Sequence, residues 1–321
     1  MSFSRDVKIE LLEHCAQEYS QSCKKAFINA IIKMNSSLTI NSHGLSVDIT
    51  FKNATIIKKV YAILSDLYHE KMQLVVRQNM KLKKDHSYTI KIAENTLAIL
   101  DDLKLMDGFS FKSSIDKSYF NDKELAKAYL AGSFVAAGSV NSPVKANYHL
   151  ELQSDDGAHL DDLKRLIDLV NKGKYSLDIH FKIIKRRNNH VLYLKSAREI
   201  VDFLNYLGAV NSMFNFEDIR MQRDFVNSIN RMNNMDVANE QKVQKAANVQ
   251  LEAINKLIAI DYLKRLEPNI RKVAHLRIKH SEASLSELVA LFESEYHERI
   301  SRSTINHRLN KVKEIANKIK N

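Results

Sequence analysis

Glycine, proline and tryptophan are nearly missing from this 321-residue chain: seven, two and none. So few breakers make long helices easy and exclude a glycine-rich phosphate loop. Cysteine is as scarce. Cys15 and Cys23 belong to no metal-ligand constellation, and two spare thiols in a reducing cytosol are the expectation. No apolar run reaches the about 18 residues of a membrane span, and Met1–Asp6 lacks the apolar core of a signal peptide. What is present is the composition of a folded protein, 45% hydrophobic and 27% charged, with length for two or three domains.

The formal charge is +11. Residues 218–321 hold 19 basic against 13 acidic side chains, while the 217 before them hold 30 against 25. A basic excess favours anionic partners, nucleic acid first, but many basic proteins bind nothing anionic.

The first 210 residues carry an internal duplication at an offset of about 102. Ser36-Ser37-Leu38 lies beneath Gly138-Ser139-Val140, and a helix over Lys25–Asn35 lies beneath one over Lys127–Ala137. An alternating strand follows each helix, Leu45–Phe51 and Tyr148–Gln153. Helices over Thr55–Tyr68 and Ala158–Val170 come next. Then each copy has a hairpin: Gln73–Lys83 with Tyr88–Ile92 around a turn at 84–87, and Ser176–Lys185 with Val191–Leu194 around a turn at 186–189. Closing helices span Glu94–Leu105 and Ser196–Leu207, which makes αββαββα twice.

Within the second copy, Leu130–Gly138 reads L-A-G-S-F-V-A-A-G, which resembles the LAGLIDADG signature of homing endonucleases with both carboxylates missing. In that family the small residues let two helices pack closely, and the last acidic side chain holds a divalent metal. Val135 and Ala137 stand at the acidic positions and offer no oxygen ligand to a hard cation. In the eroded first copy Ile28-Asn29-Ala30 stands for Leu-Ala-Gly, and Asn35 stands opposite Ala137. Gly132 and Ala136 are expected to serve close helix packing alone, with no catalytic residue, metal or cofactor.

From Asp218 to about Leu266 the chain is helix-compatible, with a break expected at Asn233–Asp236. Val243, Ala247, Leu251, Ile254 and Ile258 are expected to face inward. Arg220, Arg223 and Arg231 form a basic stripe that either meets DNA phosphate or is the solvated face of a linker helix. Pro268 suits the first turn of a helix to His280. Ser284-Leu-Ser-Glu287 fits a capping box for a short helix to Phe292. After a connection over Glu293–Ile300, Ser301 caps a last helix whose buried side is Ile305, Leu309, Val312, Ala316 and Ile319. Opposite lie Arg302, Ser303, Asn306, Asn310 and Lys313. Asn pairs with adenine, Arg with guanine or phosphate, and Ser with either, so this face suits the major groove.

The opening Ser2–Glu10, Leu130–Val140, Arg220–Gln244 and above all Ser301–Lys311 (S-R-S-T-I-N-H-R-L-N-K) resemble the WhiA family of bacterial regulators. The resemblance implies an α+β protein: a tandem αββαββα LAGLIDADG-like saddle domain over 1–215 (repeats about 1–110 and 111–215), catalytically dead. A helical linker over 216–266 and an all-α helix-turn-helix domain over 267–321 would follow. It implies a non-enzymatic, cytoplasmic and nucleoid-associated regulator of transcription, cell division, chromosome segregation or sporulation. Double-stranded DNA would be held by Ser301, Arg302, Ser303, Thr304, Asn306, His307, Arg308, Asn310, Lys311 and Lys313. His307 either touches the DNA backbone or braces the helix. Departures from the family lie in the acidic connection (Glu293, Glu295, His297, Glu298) and in Thr304, which replaces a small residue.

A second reading makes the duplicated domain a module that senses a protein or small molecule. Its basic hairpin tips (Lys81, Lys83, Lys84; Lys185, Arg186, Arg187) are then either weak DNA contacts or solvated turns. A working nuclease and a membrane partner are not expected.

Overall fold

The structure is a computed structural model describing residues 2–319 except 42–43, 80–84, 109, 113, 146, 172–176 and 188. It divides into two compact units, Met1–Arg223 and Asp224–Asn321. Among the described residues no helix is long and apolar enough to cross a membrane.

The first unit opens with α1 (Phe3–Glu18), a helix that precedes the duplicated pattern. The first repeat runs α2 (Gln21–Asn35), β1 (Ser36–Asn41), β2 (Gly44–Phe51), α3 (Ala54–Tyr68), β3 (Gln73–Asn79), β4 (Asp85–Ile92) and α4 (Thr96–Asp102). A two-stranded ribbon, β5 (Met106–Asp107) with β6 (Ser110–Phe111), and one helical turn, α5 (Ser118–Asn121), lead onward. The second repeat runs α6 (Lys123–Ala137), β7 (Gly138–Val140), β8 (Leu150–Ser154), α7 (Gly157–Asn171), β9 (Lys182–Arg186), β10 (Asn189–Leu194) and α8 (Ala197–Leu207).

Both repeats build the same antiparallel sheet, in the orders β1-β2-β4-β3 and β7-β8-β10-β9. The alternation that marks the strands also sorts their faces. Val47, Ile49, Leu150 and Leu152 enter the core with the helices, while Asp48, Thr50, Glu151 and Gln153 do not. Local signals start the helices: Asn53, Asp122 and Ser196 each accept from a backbone N–H of the following first turn.

The hairpins depart from the reading in detail. Residues 85–87 belong to β4 and not to a turn, while Lys81, Lys83 and Lys84 lie outside the described residues. Strand β9 starts only at Lys182. Ile179 and Phe181, expected in the strand, are buried in irregular chain outside any sheet of the described residues, because burial of alternate side chains does not require a ladder.

α2 and α6 are the paired central helices. A Cβ on Gly132 would run into the backbone carbonyl of Phe27, so the two helices meet backbone to backbone there. That is the packing role expected of Gly132.

The long helix α9 (Val210–Ala259) has 50 residues and runs through the expected break at Asn233–Asp236. It contains neither glycine nor proline, and asparagine in a helix interior costs less than about 1 kcal/mol relative to alanine. A 3-10 turn at Leu263–Arg265 leads to α10 (Pro268–Lys279), α11 (Leu285–Tyr296) and α12 (Arg302–Lys318). These three helices share a core with Ala253, Ile254 and Leu257 of α9 and with Leu263 and Leu266. Two apolar side chains expected to face inward are exposed: Ile258, in the last turn of α9, at 46%, and Ile319, just past the end of the last helix, at 37%.

Candidate nucleic-acid interface

α10 begins on Pro268, whose fixed φ suits a first turn, and buries Ile270, Val273, Ala274, Leu276 and Arg277. Arg277 continues that buried stripe and is only 2% exposed. Its Nη1 donates to the carbonyl oxygens of His280 (3.3 Å), Ser281 (3.5 Å) and Ala283 (2.5 Å), bracing the turn into α11. Its position three and four residues after Ala274 and Val273 is the sequence signal that marks it as inward.

The capping box at the start of α11 is present. Ser284 N–H donates to Glu287 Oε2 at 2.7 Å, and Glu287 N–H donates to Ser284 Oγ at 3.2 Å. That hydrogen bonding holds the Glu287 carboxyl below its ordinary pKa. The helix continues one turn past Phe292, because Tyr296 packs on the Phe292 ring with centroids 4.8 Å apart. His297, in the left-handed region (φ 55°), closes it by donating to Glu293 O at 3.0 Å. The connection to α12 is thus shorter than expected. Two of the acids read there are paired locally, Glu295 of α11 with Lys279 (2.9 Å) and Glu298 of the connection with Lys272 (2.7 Å).

Ser301 caps α12 by accepting from Thr304 N–H at 3.1 Å, and shares hydroxyl contacts of 2.8 Å with Ser303 and Thr304. Ile305, Leu309, Val312 and Ala316 fill the core, which turns the opposite face outward. Ser301, Arg302, Ser303, Asn306 and His307 are exposed; Thr304, Arg308, Asn310, Lys311 and Lys313 are half-buried. Helical spacing gathers Arg302, Ser303, Asn306, His307, Asn310 and Lys313 into one strip. Arg308 and Lys311 turn instead toward the start of α10: Arg308 Nη1 donates to Asn269 O (3.4 Å) and Lys311 pairs with Glu267 (3.3 Å).

The arginines of α9 are placed differently from one another. Arg231 is exposed, and Arg220 pairs with Glu217 at 2.5 Å. Arg223 Nη1 donates to Pro143 O (2.8 Å), Lys145 O (2.9 Å) and Tyr148 Oη (3.1 Å), and its guanidinium lies 5.4 Å from the Tyr148 ring centre. It ties the start of α9 to the loop before β8, a contact at long sequence separation that no local pattern signals.

At the ends of α2 and α6, where the endonucleases hold metal, the residues do not fit a cation. Ala137 has no side-chain donor atom, Val135 is fully buried, and the Asn35 amide donates to Thr50 O at 2.8 Å. Among the described residues no group of three or more His, Cys, Asp or Glu side chains is placed to hold a metal ion.

Three domain models match the chain in order: the WhiA N-terminal LAGLIDADG-like domain over residues 21–106, the WhiA LAGLIDADG-like domain over 126–226, and the WhiA C-terminal HTH domain over 229–316. A protein of Enterococcus faecalis named "Probable cell division protein WhiA" is 37% identical over 320 residues, covering 100% of this chain and 99% of its own. One of the same name from Bacillus subtilis is also 37% identical, over 321 residues, covering 100% and 98%. The crystal structure of full-length DUF199/WhiA from Thermatoga maritima shares the fold, with a TM-score of 0.59, 21% identity and full coverage of both chains. Carrying all three of these domains and matched from end to end by such relatives, the chain belongs to the WhiA family.

Proposed function

We propose that this protein is a sequence-preferring, non-catalytic DNA-binding regulator that acts on transcription in bacterial cell division, chromosome segregation or sporulation. One observation carries the reading: the capped N-terminal half of α12 is held outward by its own core, with Arg302, Ser303, Asn306 and Asn310 on one strip. Asn306 and Asn310 present bidentate amides to adenine, and Arg302 reaches guanine or phosphate. Lys313 positions the protein on phosphate without reading sequence, joined by Arg308 and Lys311 as they exchange Asn269 O and Glu267 for phosphate, with His307 beside them. The HTH domain and the cell-division names of the relatives support DNA as the partner. Binding to the chromosome would put the protein in the cytoplasm, on the nucleoid. A non-catalytic role is supported by Ala137 and Asn35 at the positions where cleavage needs carboxylates.

About six phosphate contacts would lower affinity roughly a thousandfold between 50 and 200 mM salt. The test is a gel shift on fragments recovered by genome-wide occupancy of the wild-type protein. Changing Arg302, Asn306 and Arg308 together to alanine should abolish the shift while leaving the circular dichroism spectrum unchanged. A triple variant that shifts those fragments as well as wild type overturns the recognition-helix assignment.

A further inference from the structure

The duplication supplies an internal comparison. Aligned through the strand registers, Gly138 matches Ser36, so Glu151 matches Asp48, His149 matches Ser46, and Tyr193 matches Lys91. On the face turned away from the helices, the first sheet is therefore built of hydroxyls and charge, with Thr50 and Thr89 sharing a 2.9 Å contact. The second sheet carries aromatic rings there instead. His149 stacks on Tyr193 with centroids 5.8 Å apart and planes 28° apart, and Lys195 Nζ stands 5.5 Å from the Tyr193 ring centre. The same fold is built without these rings in the first copy, so the fold does not require them.

Beside His149 the sheet face bears an open hollow of about 710 Å³, and a second of about 700 Å³ adjoins it toward Gln153 and Asn189. They share Glu151 and Arg186, which lie 3.6 Å apart. Glu151 also shares a 2.8 Å hydrogen bond with His149 Nε2, so its carboxylate holds both the imidazole and the Arg186 guanidinium in place. Tyr148, the residue that Arg223 of α9 clasps, lines the same hollow as Lys195. An aromatic stack beside two exposed cations and one oriented carboxylate offers a π-face, phosphate contacts and an acceptor for an amino or hydroxyl group. These are the parts of a nucleotide site, and stacking makes it tolerant of base identity.

We infer that the open face of the second sheet binds a nucleobase–phosphate unit, as a free nucleotide or as part of a single strand, at His149, Glu151, Arg186, Tyr193 and Lys195. The site is separate from α12 and does not depend on that helix reading DNA.

The test uses the full-length protein and fluorescence anisotropy with N-methylanthraniloyl-labelled ATP and GTP and with a labelled short oligothymidylate. Saturable binding is expected. Tyr193→Ala and Arg186→Ala should each weaken it about tenfold or more, in line with the worth of one stacked base. Tyr193→Phe, which keeps the ring, should retain it, and so should Lys91→Ala on the first sheet. The Arg302/Asn306/Arg308 alanine variant should bind nucleotide as wild type does, which separates this site from the proposed DNA interface. Tighter binding of the labelled nucleotides identifies a free nucleotide as the source; tighter binding of the oligothymidylate identifies a single strand. No saturable binding of any probe, or binding untouched by Tyr193→Ala and Arg186→Ala in folded protein, overturns the inference.

Discussion

Gly132 is the residue on which the paired helices of the first unit turn. Its missing side chain lets the backbone of α6 lie on that of α2, and the atom a Cβ would meet is a carbonyl of Phe27, which cannot rotate away. Gly132→Ala should therefore destabilise the first unit by about 1–3 kcal/mol, the usual cost of overpacking, despite alanine's better helix propensity. Urea unfolding measures it; an unchanged or raised midpoint would show that the helices are not in backbone contact. A second residue makes stability depend on pH. His159 is buried and shares a 2.8 Å hydrogen bond with Tyr129 Oη, while its Nδ1 has no partner among the described residues. Burial first, and then the charge of Lys33, push its pKa down to about 4 from the ordinary 6.5. The unfolded chain thus takes up a proton before the folded one does. The stability His159 contributes is complete above pH 6.5 and is lost as pH falls toward 4, in total about 3 kcal/mol. At pH 5 the wild type should have lost about 2 kcal/mol of this relative to pH 7, and His159→Gln should lack that component. Equal pH slopes for the two proteins would rule it out.

At the scale of elements, α9 sets the clearest problem. Residues 225–242 are exposed on every side, Phe225, Met232 and Met235 included, and burial resumes only at Val243 and Ala247. A helical stretch that buries no side chain draws its stability mainly from propensity, which is marginal in water. Hydrogen exchange followed by mass spectrometry should find amides of 226–242 opening far faster than those of 250–257, where Gln250, Ile254 and Leu257 are buried. Equal protection along the whole helix would contradict this. The same helix shows what was legible in the sequence. Asparagine-rich Asn233–Asp236 looked like a stop, but a stop needs a breaker or a competing cap, and neither is there. Elements defined by period and by local caps were readable: both repeats, the Ser284 box and the Ser301 cap. Elements whose ends are set by distant partners were not. Tyr296 extends α11 through a ring contact, and Glu10 of α1 caps α9 by accepting from Asn211 N–H (2.6 Å) and Ser212 N–H (2.9 Å) across two hundred residues. Arg277 and Arg223 brace loops through carbonyls that no pattern advertises. The candidate interface was legible because it is a helix face, and a helix face follows from spacing alone.

At the scale of the molecule, each compact unit has its own core, and one continuous helix contributes to both. The second core does not begin where the HTH-like pattern begins. It takes Ala253, Ile254 and Leu257 from α9, and Leu263 and Leu266 from the turn that follows, all before the expected domain start at 267. Burying a leucine or isoleucine is worth about 1.5–3 kcal/mol, and a domain this small has only a few kcal/mol of net stability. Losing four such side chains should exceed that margin. A fragment of residues 244–321 should therefore fold with a cooperative thermal transition and retain the gel shift, whereas 267–321 should be largely unfolded at room temperature by circular dichroism. Residues 1–223, which keep the whole first core, should fold alone and show no sequence-preferring shift. If 267–321 melts as cooperatively and as late as 244–321, the end of α9 is not part of that core. If 1–223 reproduces the full-length shift, the reading of DNA belongs to the duplicated domain and not to α12.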